Sequence, residues 1–225
     1  SPTDEDLFFD ALLAFDSRDY VTAIELATRT IQINPDRADA IALRGDSHAG
    51  AGDLQKAILD YRVVLALEPD FYLNSFFLGR LLVRAGAREE GIGFIRRALE
   101  TAPEEGRSHE HLSDMLIQLG GLVAADGDQA LDFYERAEAE ARAGIVQDPL
   151  SARCHVNLGV SRVEQERALG RLAPERVHEA VEHYRRALEL RPDYADAFNN
   201  LALTLAAMNR NREAIECFKR AQALK

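Results

Sequence analysis

Proline recurs in this sequence at intervals that suit a repeated helical unit. Pro35, Pro69 and Pro103 are equally spaced, and Pro149 and Pro192 follow at longer intervals. Proline cannot continue an α-helix, and it moves the residue before it out of helical backbone angles. Each proline is therefore predicted to mark the end of an amphipathic helix, and the chain is predicted to consist of internal repeats.

The helical run before most of these prolines carries a small residue, a large residue four positions later, and a small residue three positions after that. On a helix these positions share one stripe, where small residues let a neighbouring helix approach closely. The triplets are Ala57–Tyr61–Val64, Gly91–Ile95–Ala98, Ala180–Tyr184–Ala187 and, in the last segment, Ala214–Phe218–Ala221. An earlier helix in each unit has a small residue at one equivalent position, namely Gly45, Gly79, Gly159 and Ala202. Short polar turns are predicted to join the two helices of a unit.

Helix–turn–helix units of about 34 residues with these triplets and a closing proline resemble tetratricopeptide repeats. The resemblance implies an all-α fold, a right-handed superhelical α-solenoid that forms a single array over residues 1–225. Six repeats are expected, at residues 4–37, 38–71, 72–105, 106–151, 152–194 and 195–225. The first repeat is the weakest match, because Ala23, Ala27 and Thr30 provide no large residue.

Repeats four and five are clearly longer than the others. In the fifth, the extra residues 164–174 look helical, so both helices are expected to be longer, with Pro174 in the first turn of the second. In the fourth, Ala130–Tyr134–Ala137 and Ala137–Ala141–Gly144 both fit the second-helix pattern. The latter is preferred because it keeps register with Pro149, and it places the insertion near residues 120–127. The edge formed by residues 118–130 and 163–178 is hypothesised to be a partner surface, with neutral elongation as the alternative.

The charge distribution excludes some classes of partner. A net charge of −11 argues against binding to nucleic acid, whose phosphates need a basic surface. Residues 4–71 hold six basic and fourteen acidic residues, whereas residues 152–225 hold thirteen basic and ten acidic residues. No apolar run approaches the roughly 18 residues that span a bilayer, so membrane insertion is not expected. No signal peptide is visible, so a cytoplasmic location is expected. This expectation is weak, because the chain opens with Ser1-Pro2 and no methionine, which leaves room for a missing N-terminus.

The sequence offers little for catalysis. It contains no phosphate-binding loop, no Cys-x-x-Cys and no His-Glu-x-x-His motif, so no enzyme activity, metal or cofactor is expected. The nearest candidate for a metal site is His109, His111 and Asp114 with His155 one repeat later. His109 and His155 occupy a position where the resembled family usually has an aromatic residue, so packing is the simpler explanation. Cys154 and Cys217 are interpreted as free, half-buried thiols.

The resemblance also implies that the first helices of successive repeats line a concave groove. The residues of this chain at the groove positions are Phe8, Phe9, Leu12, Phe76, Phe77, Arg80, Arg84, His111, Asp114, Asn157, Asn199 and Asn200, with Asp46 on the same face. The phenylalanines would form an apolar floor, the arginine pair would hold an acidic group, and the amides would hold a peptide backbone. The alternatives are that the phenylalanines pack against an N-terminal segment and that the asparagines bond between helices. The Lys/Asn/Arg clamp of co-chaperone relatives is absent, since Phe8, Ala42 and Glu110 stand at its positions.

The sequence therefore predicts a scaffold that binds a peptide or helical segment of a protein partner in its groove. One alternative is self-association into a homo-oligomer through the C-terminal face. That face is expected to be exposed around Leu205, Ile215, Phe218 and Leu224, so that either another molecule covers it or the chain is a fragment. A further alternative is a regulatory segment of a larger protein.

Overall fold

A computed structural model describes residues 2–103 and 108–224, and these residues form twelve α-helices and no β-strand. The predicted all-α fold is thereby confirmed. The chain divides into two compact units, Ser1–Ala102 and Pro103–Lys225. The predicted junction between the third and fourth repeats, at residues 105 and 106, lies outside the described residues. Among the described helices, none is both long enough and apolar enough to cross a membrane.

The first unit contains six helices of similar length. They are α1 (Asp4–Asp16), α2 (Tyr20–Ile33), α3 (Ala38–Gly50), α4 (Leu54–Leu67), α5 (Tyr72–Arg84) and α6 (Arg88–Thr101). Each helix packs against the next one along the chain, and α1 also contacts α3. Among the described residues the unit is therefore a stack of antiparallel helix pairs, held together mainly by helices that are near neighbours in sequence.

The second unit also contains six helices, three of which are long. They are α7 (His109–Leu122), α8 (Gly127–Gln147), α9 (Ala152–Ala168), α10 (Pro174–Leu190), α11 (Ala195–Ala207) and α12 (Asn211–Ala223). Helix α8 has 21 residues, and α9 and α10 have 17 each, compared with 13 or 14 for every helix of the first unit. The additional residues thus lengthen helices. Helix α9 touches both α7 and α11, so the first helices of these pairs lie side by side.

The turns inside the helix pairs of the first unit share one backbone conformation. Arg18, Gly52 and Gly86, which recur at the same interval as the first three prolines, have φ angles of 60°, 89° and 91°. This left-handed conformation suits glycine and reverses the chain in few residues. Asp19 and Asp53 come next, and each side chain accepts the N–H of a residue in the first turn of the following helix.

The junctions between helix pairs depend on proline, as the sequence predicts. Asn34, Asp148 and Arg191 precede a proline and end their helices with φ angles of −131°, −136° and −139°. These extended angles are the ones that proline imposes on the residue before it. The helix therefore ends at a position that the sequence specifies directly.

Glycine on the first helix of a pair makes room for a large side chain of the second helix. A Cβ atom on Gly45 would lie 3.1 Å from the ring of Tyr61, and one on Gly159 would lie 2.6 Å from the ring of Tyr184. The pair Gly79 and Ile95 repeats the arrangement, with 2.7 Å between the added Cβ and Ile95 Cγ1. In these three triplets the large residue thus packs against a glycine, where no side chain occupies the space.

In the fourth predicted repeat, the contact between a glycine and a large side chain lies two turns farther along the first helix. A Cβ on Gly120 would lie 2.5 Å from Tyr134, whereas Ser113 stands at the position equivalent to Gly79. Gly144, at the other end of α8, lies against Cys154. Both triplets that the sequence offered are therefore buried on the single long helix α8, and Tyr134, from the triplet that was not preferred, makes the contact with glycine.

The close approach of α5 and α6 can be tested at Gly79. A Cβ there would lie 2.8 Å from the carbonyl oxygen of Gly91, a backbone atom that cannot move aside. We expect Gly79→Ala to lower the free energy of unfolding by about 1–3 kcal/mol, because overpacking outweighs the gain in helix propensity. Urea denaturation measures the change.

Gly93 on α6 provides the matched control, because a Cβ there would meet nothing within 4 Å. Gly93→Ala should raise the free energy of unfolding by roughly 0.5–1 kcal/mol through helix propensity alone. Equal effects of the two substitutions would contradict the tight α5–α6 contact.

Candidate functional site

A small pocket opens on the first unit where α3, α4 and α5 meet. Its volume is about 150 Å³, and it is called the α3–α5 pocket below. It is lined by Asp46, Ala49, Tyr61, Phe77, Arg80, Leu81 and Arg84. Three of these, Phe77, Arg80 and Arg84, are residues that the sequence predicts to bind a partner. The pocket combines an aromatic wall, a carboxyl group and two guanidinium groups within one small space.

Asp46 and Tyr61 form one wall of the pocket. Because Gly45 has no side chain, the Tyr61 ring packs against α3, and its hydroxyl donates a hydrogen bond of 2.8 Å to Asp46 Oδ1. The Asp46 side chain is exposed at the surface, but the helices packed around it displace part of the water near its carboxyl group. This desolvation raises the pKa of Asp46, although the Tyr61 hydrogen bond and the charge of Arg80 oppose the increase. Burial and the neighbouring Asp46 carboxylate likewise raise the pKa of the Tyr61 hydroxyl.

An aromatic cluster supports the pocket from below. The ring of Phe77 lies 5.9 Å from Tyr61 and 5.6 Å from Phe76, measured between centroids. The Arg80 guanidinium lies over the Phe76 ring at 5.5 Å from its centroid. Phe76 itself is completely buried, so it supports Phe77 and Arg80 and has no exposed surface for a ligand.

The two arginines give the pocket a positive rim. Arg80 is half-buried on the ring of Phe76, and Arg84, one helical turn farther along α5, is exposed. Two guanidinium groups outnumber the single Asp46 carboxyl, in a part of the chain where acidic residues predominate. The pocket can therefore attract an anionic group and at the same time accept an apolar one against Tyr61 and Phe77.

The predicted site residues of α1 lie apart from this pocket. Phe8 is half-buried, with the Arg37 guanidinium 4.4 Å from the centre of its ring, and it packs against the cluster of Ala11, Ala27 and Leu43. Phe9 and Leu12 are 61% and 36% exposed. The structure places Phe8 at the edge of the core and leaves the other two on the surface.

The predicted site residues of α7 and α9 form hydrogen bonds and ion pairs with other residues of the chain. Asn157 is buried, and its amide donates to Ser113 Oγ at 2.8 Å and to the carbonyl of Glu110 at 3.2 Å. This is the helix-to-helix bonding that the sequence analysis gave as the alternative. Asp114 Oδ2 lies 3.7 Å from Arg153, and His111 Nδ1 lies 2.7 Å from Oγ of Ser108, the N-cap of α7.

The remaining two candidates of the second unit, Asn199 and Asn200, are half-buried on α11. The five polar candidates of this unit are thus distributed over three helices, α7, α9 and α11. Since Asn157 already donates to α7, its amide is used for packing between helices and does not face a ligand.

The histidines form pairs that the sequence did not predict. His109 Nδ1 lies 2.7 Å from Glu140 Oε2, and His155 Nδ1 lies 3.2 Å from His183 Nδ1 in a stacked pair. Burial and nearby arginines lower the pKa of His183 to about 4, and burial also lowers the pKa of His155, so this pair is uncharged at neutral pH. In the described ranges, no group of three or more histidine, cysteine or acidic side chains could hold a metal ion.

A buried charge network connects the long helices α8, α9 and α10. Glu138 accepts hydrogen bonds from Arg162 and Gln165 on α9, from Arg176 on α10, and from Arg142 one turn along its own helix. Burial opposes the ionisation of Glu138, but the hydrogen bonds from Arg142, Gln165 and Arg162 outweigh it and lower its pKa to about 2.

A second carboxylate completes this network. Glu166, which is fully buried, lies 3.2 Å from Arg176 Nε and 3.3 Å from Arg171 Nε, and it accepts the N–H of Ala173 at 3.0 Å. Because each charge has a partner inside the protein, the network is a structural connection between the long helices.

The turn between α9 and α10 leaves two apolar side chains on the surface. Leu169 and Leu172 are 46% and 43% exposed, at the edge that the sequence analysis hypothesised to be a partner surface. That role remains a prediction.

The C-terminal face is less exposed than the sequence suggested. Leu205 was expected on this surface, but it is 1% exposed and packs in the core with Tyr184 and Ala214, so that expectation is wrong. The reason is that α12 folds back over α11 and covers it. Ile215 is 54% exposed, whereas Phe218 and Leu224 are half-buried.

Comparison with known proteins identifies the family. Profiles of the tetratricopeptide repeat match residues 11–70, 44–106 and 195–225, and a TPR repeat profile matches residues 175–209. The chain belongs to the tetratricopeptide repeat family, as the sequence pattern indicated. Its fold is that of a protein-interaction scaffold.

Two relatives match parts of the chain. Anaphase-promoting complex subunit 3 of Schizosaccharomyces pombe is 25% identical over 123 residues, which are 53% of this chain and 17% of that protein. An uncharacterised protein of Methanocaldococcus jannaschii is 46% identical over 48 residues, which are 21% of this chain and 56% of that protein. The matched regions thus span less than two thirds of either relative.

Solved structures share the fold at low sequence identity. The APC/C hetero-tetramer Cut9-Hcn1 has a TM-score of 0.69 and 16% identity, with 99% of this chain and 40% of that chain covered. The human IFIT1 dimer with PPP-AAAA has a TM-score of 0.68 and 17% identity, with 98% of this chain and 50% of that chain covered. These similarities establish the fold alone.

The raised pKa of Asp46 makes a prediction about stability and pH. The folded chain binds this proton more tightly than the unfolded chain, so the contribution of Asp46 to stability falls as pH rises through the raised pKa. Asparagine at position 46 would keep an oxygen that accepts the hydrogen bond from the Tyr61 hydroxyl, but its side chain would carry no charge. We expect Asp46→Asn to be more stable than wild type near pH 7, and the difference to vanish below about pH 4. Urea denaturation at a series of pH values measures it.

Asp10, which is exposed on α1, is the control for this measurement. Asp10→Asn should change stability little at any pH. A stability gain of Asp46→Asn that does not depend on pH would argue against a desolvated, unfavourably charged carboxylate.

The lowered pKa of Glu138 makes the opposite prediction. The folded chain holds this carboxylate in its charged form, so its contribution is present above the ordinary Glu pKa and is lost as pH falls towards about 2. Glu138→Gln should lower the free energy of unfolding at pH 7 by roughly 1–3 kcal/mol, because charged hydrogen bonds are lost. Glu135→Gln, at an exposed position on α8, should have little effect. A loss for Glu138→Gln that persists undiminished in acid would contradict this assignment.

Proposed function

We propose that this chain binds a segment of a protein partner on the first unit, with the α3–α5 pocket as the anchoring point. The observation that supports this most directly is the composition of the pocket. A carboxyl group with a raised pKa and two arginines surround an aromatic wall that is open to the surface. Groups held in settings that disfavour their charge are concentrated at sites of function.

The chemistry of the pocket favours a particular kind of segment. An apolar side chain fits against Tyr61 and Phe77, and a neighbouring acidic side chain reaches Arg84 at the rim. An arginine that is exposed before binding can form a bidentate bond with a carboxylate at modest desolvation cost. The partner segment is therefore an extended peptide or a helix that presents an apolar residue close to Asp or Glu.

The pocket is small, so the segment makes further contacts beyond it. If the chain binds as the tetratricopeptide repeat resemblance implies, these contacts lie on the concave face formed by the first helices of the repeats. Phe9 and Leu12 of α1 are exposed and were predicted to lie on that face. An interface of this size is at the low end for specific complexes, and an affinity on the order of micromolar is expected.

The other hypotheses from the sequence have less support. Self-association through the C-terminal face depends on Ile215, since Leu205 is buried. A regulatory segment of a larger protein agrees with the partial coverage of the relatives. The absence of nucleic-acid binding stays an expectation from the net charge.

Selection from a random peptide library tests the proposal without knowledge of the partner. The full chain should enrich peptides that place an apolar residue near Asp or Glu. The selected peptides should bind Arg84→Glu about tenfold more weakly, because a like charge then faces their carboxylate. Fluorescence anisotropy with a labelled peptide gives the dissociation constant.

Arg97, which is exposed on α6 outside the pocket, offers a control with the same charge change. Arg97→Glu should leave the dissociation constant within about twofold, the effect of distant surface charge. Peptides that bind wild type and Arg84→Glu equally well would exclude the α3–α5 pocket as their anchoring point.

A further inference from the structure

A second pocket on the first unit opens where α2, α3 and α4 meet. Its volume is about 260 Å³, and it is called the α2–α4 pocket below. Its lining comes from all three helices and consists of Thr28, Arg44, His48, Lys56, Leu59 and Asp60. None of these residues lines the α3–α5 pocket, so the two cavities are separate.

The floor of the α2–α4 pocket is polar at positions where the next repeat is apolar. Asp60 is buried on this floor, and Arg44 and His48 are half-buried. Their equivalents one repeat later pack together in one apolar cluster and are Leu78, Leu82 and Phe94. A buried ion pair usually stabilises a fold no better than apolar side chains of similar size. Residues that break the packing pattern in this way are expected at functional sites.

The next repeat also closes the space that is open in the α2–α4 pocket. Arg62 on α4 and Glu90 on α6 form an ion pair of 2.6 Å between the two helices. The residues at the equivalent positions one repeat earlier are Thr28 on α2 and Lys56 on α4. Because neither of them carries a carboxylate, that ion pair has no counterpart here. A negative group from outside the chain would supply the missing charge.

Arg44 and Asp60 neutralise each other inside the pocket. Arg44 donates from Nε to Asp60 Oδ2 at 2.9 Å and from Nη2 to Asp60 Oδ1 at 2.6 Å. This bidentate pair uses both carboxylate oxygens but only one edge of the guanidinium, so the Nη1 group can donate to another acceptor. The charge of Asp60 therefore does not keep an anion out of the pocket.

The other donors reach the pocket from three different helices. Lys56 is 63% exposed, and its bond to Asp53 at 2.8 Å is a surface pair that contributes little and can rearrange. Thr28 brings a hydroxyl from α2, and His48 brings an imidazole from α3. Single donors from several directions suit a tetrahedral oxyanion, whereas a planar carboxylate is held best by the fork of one guanidinium. The pocket therefore favours a phosphoryl group over a carboxylate.

His48 connects the occupancy of the pocket to pH. Burial is the main cause that lowers the pKa of His48. The charged groups that also act on it are two carboxylates that oppose the decrease and two cations that add to it, namely Asp60 and Asp53, and Lys56 and Arg44. The imidazole is therefore mostly neutral at pH 7. A ligand with two negative charges would raise this pKa, so His48 would take up a proton as the ligand binds.

We propose that the α2–α4 pocket binds a phosphoryl group, which is held by Lys56, by Nη1 of Arg44 and by the hydroxyl of Thr28. His48 adds a fourth donor once it is protonated. Leu59, which is 63% exposed, offers an apolar contact to the molecule that carries the phosphoryl group. The site does not depend on peptide binding at the α3–α5 pocket, so either proposal can fail without the other.

NMR titration of the histidine rings tests the proposal with inorganic phosphate as the probe. The signals of His48 are assigned from their loss in His48→Gln. Titrations in about 50 mM phosphate and in chloride of equal ionic strength have the same screening. Phosphate should raise the pKa of His48, whereas the signals of His178, exposed on α10, should follow the same curve in both salts. Equal pKa values of His48 in the two salts would overturn the proposal.

Two lysine substitutions provide a matched pair of variants. Lys56 and Lys219 are both exposed, and each lies one helical turn after an acidic residue. Lys56→Gln should weaken phosphate binding about threefold to tenfold, because a charged donor is lost. Lys219→Gln on α12 makes the same change elsewhere and should leave the dissociation constant within about twofold. Equal effects of the two substitutions would show that phosphate responds only to net charge, and the pocket would be excluded.

Peptides distinguish the two sources of a phosphoryl group. A peptide with one phosphothreonine is titrated beside its unphosphorylated form and beside inorganic phosphate. If a protein segment is the source, the phosphopeptide should bind at least about tenfold more tightly than phosphate, because its chain adds contacts around Leu59. Equal affinities would support the site with free phosphate or a small phosphomonoester as its ligand. An unphosphorylated peptide that binds as tightly as the phosphopeptide would contradict recognition of the phosphoryl group.

Discussion

The spacing of the helices in both units depends on contacts between a glycine on one helix and a large side chain on the next helix. At Gly45, Gly79 and Gly159 the missing Cβ leaves room for Tyr61, Ile95 and Tyr184. Dispersion forces act over short distances, so this fit determines how close two helices can come and which faces remain open. A substitution of these glycines would move one helix of the pair and everything stacked on it.

The same contact also positions the chemistry of the α3–α5 pocket. Tyr61 lies against Gly45, and its hydroxyl reaches Asp46, the next residue on α3. One side chain thus fixes the distance between two helices and orients a carboxyl group at the surface. Packing and a hydrogen bond thus hold the Tyr61 side chain before any ligand is bound, and a side chain held in this way loses less conformational entropy on binding.

Much of the fold follows from local sequence, because local forces define it. The prolines, the aspartates that cap helices and the small–large–small triplets act within a few residues, and they predict the helices and their pairing. The candidate site is harder to predict, because burial depends on how far a neighbouring helix covers a face. Phe76 and Asn157 occupy groove positions by sequence register, but packing buries the first and bonds the second to α7. Nothing local indicates that Leu205 lies beneath α12.

Contacts between residues far apart in sequence cannot be predicted from local patterns either. His155 and His183 lie on different helices, and their rings stack because α9 packs against α10, a contact that no local pattern in the sequence indicates. The triplet pattern predicts Tyr61 as a packing residue, but it does not indicate the hydrogen bond from the Tyr61 hydroxyl to Asp46. The interval from Gly45 to Tyr61 equals the interval from Gly79 to Ile95. This recurrence in the sequence indicates which large residue packs against which glycine.

The buried network of Glu138 and Glu166 has a consequence for how the second unit opens. Ordinary repeats touch their neighbours through separate apolar contacts, so an end repeat can fray while the next one stays folded. Here Arg162, Gln165 and Arg176 bring α9 and α10 into contact with carboxylates on more than one helix. Separating α8 from α10 would expose several charges without partners at once. The three long helices should therefore exchange their amide hydrogens as one block, and this block would set the slowest exchange rates of the unit.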